Sequence, residues 1–139
     1  MKDKITCFKL NWYDCGLCCP EDMLQEEVTI YRNDSRLVFK ELNGYGVICS
    51  CQIVHIEGRK VAEFFDLLEK IYNEWEPDYK VEACDGSKWK ARIWHSSHKI
   101  KTVCGTIESP PSREKIEKYI RSFIADANSP IEPKMFGCR

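Results

Sequence analysis

The sequence predicts an α+β domain: a mainly antiparallel sheet carrying two amphipathic helices on one face, in the order β-β-β-β-α-β-β-β-α. Three observations predict it. Several segments alternate polar and apolar residues with the period of two that belongs to half-buried strands. Turn residues join those segments in pairs, which favours hairpins and hence antiparallel neighbours. Two longer segments repeat apolar residues at spacings of three and four, and such stripes need a sheet face to cover.

The elements follow in chain order. In ITCFKLNWY, Phe8, Leu10 and Trp12 alternate with Cys7, Lys9 and Asn11, the pattern of a first strand. EEVTIYR and RLVFKEL flank Asn33 and Asp34, residues that tolerate tight turns, and form a hairpin. After Gly44 and Gly46, VICSCQIVHI is apolar on both parities, as expected of a central strand covered on both faces. Residues 59–75 place Val61, Phe64, Phe65, Leu68, Ile71, Tyr72 and Trp75 on one helical stripe that ends before Pro77. YKVEACD and SKWKARIW then pair as a hairpin through Asp85 and Gly86, and HKIKTVCGT follows a short turn containing His95 and His98. The last helix spans 109–126, with Ser109 or Ser112 as its cap, Pro110 at its opening and Ile116, Tyr119, Ile120, Phe123 and Ile124 as its buried stripe.

The 139 residues suit a single domain over 1–139, with an irregular tail over 127–139 running along the surface. Hydrophobic residues at 43% and a near balance of 21 basic and 22 acidic residues place the chain among folded rather than disordered proteins. No apolar stretch approaches the roughly 20 residues that span a bilayer. The opening MKDKITCFKLNWYDCG lacks the apolar run of a signal peptide, so the expected location is the cytoplasm, with the nine cysteines as free thiols.

The helix VAEFFDLLEKI, the acidic-glycine hairpin CDGSKWKARI and the segment GTIESPPSREKIEKYI together resemble a loose group of small bacterial α+β domains of uncharacterised function. The resemblance covers residues 26–124 and implies a fold. It carries no catalytic residues to transfer.

Three kinds of site chemistry are open to these residue types. Cys15 and Cys18 have the two-residue spacing of a zinc knuckle, whose thiolates converge on an ion about 2.3 Å from each sulfur. Cys19, Cys49 and Cys51 are the nearest further ligands, with Cys7, Cys104 and Cys138 beyond. Cys49 and Cys51, two apart on a strand, stand roughly 6 to 7 Å from each other unless a bulge brings them together. The same CGLC has dithiol-redox spacing, but Cys19 and Pro20 occupy the place where the acidifying helix would start. For cysteine–histidine catalysis, His55 shares a strand face with Cys51 at roughly 13 Å, too far for proton transfer. His95 and His98 are expected as exposed turn residues. No phosphate-binding glycine loop is present, and no reaction class emerges.

Charge is uneven along the chain. Between Lys80 and Lys101 six basic residues meet two acidic ones, a local excess of about +4 in a chain whose net charge is −1. With Trp89, Ala91 and Ile93 facing the core, Lys88, Lys90, Arg92 and Trp94 face outward; with Ile100, Thr102 and Cys104 inward, Lys99 and Lys101 join them. The leading expectation is a small non-enzymatic interaction protein of the inhibitor, immunity or anti-defence type. It would bind an acidic protein surface or a nucleic-acid backbone through Lys88, Lys90, Arg92, Trp94, Lys99 and Lys101, with no cofactor and no membrane. The alternatives are a zinc or thiol-redox protein centred on Cys15, Cys18, Cys19, Cys49 and Cys51, and a nucleic-acid-binding module.

Overall fold

A computed structural model describes residues 3–14, 24–79, 87–106 and 110–136. The strands are β1 (Ile5–Asp14), β2 (Gln25–Tyr31), β3 (Arg36–Leu42), β4 (Ile48–His55), β5 (Asp78–Tyr79), β6 (Ser87–His95) and β7 (Ile100–Gly105); the helices are α1 (Gly58–Ile71) and α2 (Arg113–Asp126). All seven strands form one sheet in the order β4-β3-β2-β1-β6-β7-β5. Every pairing is antiparallel except β5 with β7. This is the expected α+β class.

Strand alternation builds the core. Phe8, Leu10, Val28, Ile30, Leu37, Phe39, Val54, Trp89, Ala91, Ile93 and Val103 project from one sheet face and are buried there. The α1 stripe of Val61, Phe64, Phe65, Leu68 and Ile71 and the α2 stripe of Ile116, Ile120, Phe123 and Ile124 close over them. Phe64 is the centre of the join: its ring meets Phe8 at 5.7 Å, Phe65 at 5.2 Å and Phe123 at 5.9 Å, each edge to face. Burying one such side chain contributes about 1.5–3 kcal/mol.

Several expectations are corrected. VICSCQIVH is an edge strand among the described residues, since β4 pairs there with β3 alone and only Val54 within it is buried. Residues 80–86 of the expected YKVEACD–SKWKARIW hairpin lie outside the described residues; over Trp89–Trp94 both edges of β6 are taken by β1 and β7, and the described Asp78–Tyr79 pairs with β7, in parallel. The first helix gives way at Tyr72 to a 3-10 turn over Tyr72–Glu74, with Trp75 buried beyond it. Ser112 precedes α2, but its φ of 64° and the lack of a side-chain cap bond show that it turns the chain rather than capping it; Ser109 lies outside the described residues.

The tail is irregular in backbone but contributes to the core. Ile131, Met135 and Phe136 are buried, and the Phe136 ring packs edge-on against Trp89 at 5.1 Å and Trp75 at 6.3 Å. The tail thus seats one aromatic ring between two tryptophans of the core.

Candidate docking face

Register decides which side chains share the sheet face opposite the helices, because residues paired across strands project to the same side. One row across that face reads His55, Arg36, Tyr31, Cys7, Trp94 and Ile100. The next reads Ile53, Val38, Thr29, Lys9, Arg92 and Thr102, and the third Cys51, Lys40, Glu27, Asn11, Lys90 and Cys104. Tyr13 and Lys88 pair beyond them.

The face therefore gathers Lys9, Arg36, Lys40, Lys88, Lys90 and Arg92. Among the described residues the carboxylates of this face are Asp78, which continues the third row beyond Cys104, and Glu27, which lies 3.2 Å from Lys9 Nζ. Asn11 Nδ2 and Thr29 Oγ1 also donate to Glu27, each at 3.4 Å. Lys40, Lys88, Lys90 and Arg92 enter no ion pair among the described residues. Lys9 and Arg92 stand directly opposite each other across β1 and β6. Like charges in that position cost stability, and Glu27 beside Lys9 offsets part of that cost.

Aromatic rings are interleaved with the cations and held by them. Lys9 Nζ lies 5.6 Å from the centroid of a Trp94 ring, and the Arg36 guanidinium 5.0 Å from that of Tyr31. Between Tyr31 and Trp94 sits Cys7, where burial pushes the thiol up to about 11, Lys9 opposing and Glu27 adding to the shift. A thiol held protonated is a poor nucleophile and a poor metal ligand at neutral pH.

Lys88, Lys90, Arg92 and Trp94 thus come together on one face as expected. Lys99 and Lys101 do not join them. Val103 and Gly105, not Cys104, are the buried residues of β7, so Lys101 points to the helix side, where its Nζ donates to Tyr72 O at 2.9 Å and lies 5.2 Å from the Tyr72 ring. Burial, with Lys99 nearby, lowers its pKa. Lys99 lies in the turn ahead of β7, exposed, and its carbonyl accepts from His95 N at 2.9 Å. Ile100, Thr102 and Cys104 take the opposite side, with Ile100 half exposed.

No family model, curated protein or solved structure matches the chain. Its own side chains are what bear on function.

Cys15, Cys18 and Cys19 lie outside the described residues. Cys49 occupies a bulge in β4, between Ile48 opposite Leu42 and Ser50 opposite Glu41, and both it and Cys51 are exposed. The described residues contain no group of three or more potential metal ligands. His95 is buried rather than exposed: Nε2 meets the Tyr72 hydroxyl at 3.0 Å and Nδ1 meets Lys99 O at 3.2 Å. With Nδ1 protonated and donating, Nε2 accepts from Tyr72, and the ring pins the 3-10 turn to β6. His98 is exposed with a φ of 69°. The acidic residues of α1 are partly consumed by structure, since Arg32 bonds both Asp66 and Glu69.

Lys9, Arg36, Lys40 and Tyr31 are the members of the face that local patterns miss. Each sits at an outward parity within its own strand, but only the pairing of β1 with β6 and of β2 with β3 sets them beside Arg92 and Trp94.

Proposed function

We propose that the protein is a non-enzymatic interaction domain that docks an acidic protein on the sheet face opposite its helices. One observation carries this: six cations share that face with two carboxylates among the described residues, Glu27, which is paired with Lys9, and Asp78, which the β5–β7 register places at the far end of the face. Lys88, Lys90 and Arg92 carry charge that no ion pair among the described residues takes up, while Trp94 and Tyr31 hold Lys9 and Arg36 in place beside them. Such a field raises encounter rates with an acidic partner and rejects basic ones. Stand-alone inhibitors, immunity proteins and anti-defence proteins act through surfaces of this kind.

An acidic protein suits the face better than single-stranded nucleic acid. Base stacking needs free ring faces, and here Lys9 already sits over Trp94 and Arg36 over Tyr31. The net charge of −1 also gives weak attraction for a polyanion away from the face.

The test is affinity capture from the native host followed by mass spectrometry, comparing the unaltered chain with a Lys88→Glu, Lys90→Glu, Arg92→Glu variant. An acidic protein retained by the first, released by added salt and lost from the variant is the expected result. Equal capture by both chains rejects the face. Tight, salt-sensitive binding of single-stranded oligonucleotides, lost in the same variant, assigns the face to nucleic acid instead.

A further inference from the structure

The sheet ends in an edge that lacks the usual protection. Natural edge strands are blunted with charge, proline or short length. β4 spans eight residues, ICSCQIVH, and contains no lysine, arginine, carboxylate or proline. Four of the five most exposed large hydrophobics among the described residues, Tyr45, Val47, Ile48 and Ile53, lie on it or in the turn leading to it, at 52–67% exposure.

The backbone shows which groups point off that edge. Ile56 N donates to Ser35 O at 2.8 Å, which makes Ser35 and Ile56 a hydrogen-bonded pair. Hydrogen-bonded and non-bonded pairs alternate along an antiparallel ladder, so Leu37 with Val54 and Phe39 with Gln52 bond across the ladder. The N–H and C=O groups of Cys51, Ile53 and His55 then point away from β3. Their side chains all lie on the cationic face.

From this geometry we infer that β4 pairs with β4 of a second copy of the chain, antiparallel about a two-fold axis at Ile53. In that register Ile53 meets the second copy's Ile53, Cys51 meets its His55, and every outward N–H and C=O in the segment finds a partner of the same strand. A neutral strand meets a neutral strand with no charge to desolvate, whereas the rest of the face would repel another copy. A stable interface buries about 1,000 Å² or more in total. A short strand ladder alone falls below that, and the exposed Val47 and Ile48, carried past His55 toward the start of the opposing α1, supply further apolar area. The contact is isologous and uses up both β4 edges, so pairing stops at two copies. Because the axis stands perpendicular to the sheet, both cationic faces lie on the same side of one continuous sheet.

Sedimentation velocity of the full chain over a concentration series tests this, alongside Ile53→Pro and Ile53→Lys. Proline at 53 removes an N–H that points off the sheet and leaves the β3 ladder intact; lysine places a like charge against itself on the axis. A dimer for the unaltered chain is expected, with each variant raising the dissociation constant at least about tenfold and keeping the parent far-UV circular dichroism. If proline disturbs the fold, lysine alone decides. A chain that stays monomeric at high concentration overturns the inference, as does a dimer untouched by a folded variant. A monomer that instead adds an unrelated extended peptide at β4 also overturns it, by giving the edge a different occupant.

Discussion

The indole of Trp89 lies against the backbone of Gly105, its cross-strand partner, so closely that a Cβ on the glycine would come within 2.6 Å of the ring. Trp89 is 1% exposed and cannot retreat, because Tyr79 and Phe136 pack against it with ring centroids at 6.0 and 5.1 Å. Gly105→Ala therefore forces the ring or the strand to move, an overpacking cost of about 1–3 kcal/mol. Urea unfolding followed by tryptophan fluorescence reads it, and an unchanged midpoint would show that the ring moves freely.

Phe136 gives the tail its hold on the domain. It is fully buried between Trp75 and Trp89, so Phe136→Ala leaves a cavity and costs about 3–5 kcal/mol. Thermal unfolding of this variant beside Glu132→Ala, a change at an exposed position in the same segment, separates loss of packing from loosening of the tail. The first is expected to fall sharply and the second to stay near the parent.

Arg32 locks the turn after β2 to α1. Nη1 donates to Ile5 O at 2.9 Å and to Glu69 Oε1 at 3.0 Å, and the guanidinium lies 5.4 Å from the centre of the Phe65 ring. Arg32→Ala is expected to cost about 1.5–3 kcal/mol, the range for charge-assisted bonds. Arg32→Lys should recover little of that, since one ammonium cannot reproduce the planar fork. Full recovery by lysine in a denaturant titration would reduce the contact to simple charge attraction.

Cys7 links stability to alkaline pH. Burial raises its pKa from the ordinary 9.0 to about 11, so the folded state holds a proton that the unfolded chain gives up more readily. Its contribution is complete below 9.0 and is lost as pH rises through about 11. Cys7→Ala should flatten the decline in unfolding free energy across that window. In the parent chain, mass-mapped alkylation at neutral pH should label the exposed Cys49 and Cys51 well before Cys7.

Local patterns revealed the α+β class, the hairpin that turns at Asn33 and Asp34, and the outward side of SKWKARIW, because Trp89, Ala91 and Ile93 leave no doubt about its inner parity. IKTVCG misleads for a physical reason. Ile100 and Val103 lie on opposite parities, and Lys101 has a stem long enough to run along apolar surface and end on the Tyr72 carbonyl. The edge position of β4 is not encoded in its own residues, since a strand apolar on both parities reads as central whether its second neighbour belongs to the same chain or not. The proline-rich composition of the tail suggests surface, while the place of Phe136 depends on two tryptophans far away in sequence. Likewise the cationic face becomes visible only when β1 is set beside β6.

That last pairing has a consequence for how the chain acquires its shape. β2, β3 and β4 connect through short turns, and so do β6 and β7, but β1 sits between these two groups and must wait for β6, which is made more than half the chain later. Closing so large a loop is slow compared with forming the hairpins. During synthesis, then, the first strand emerges early with one flank satisfied and the other open until residues 87–95 leave the ribosome.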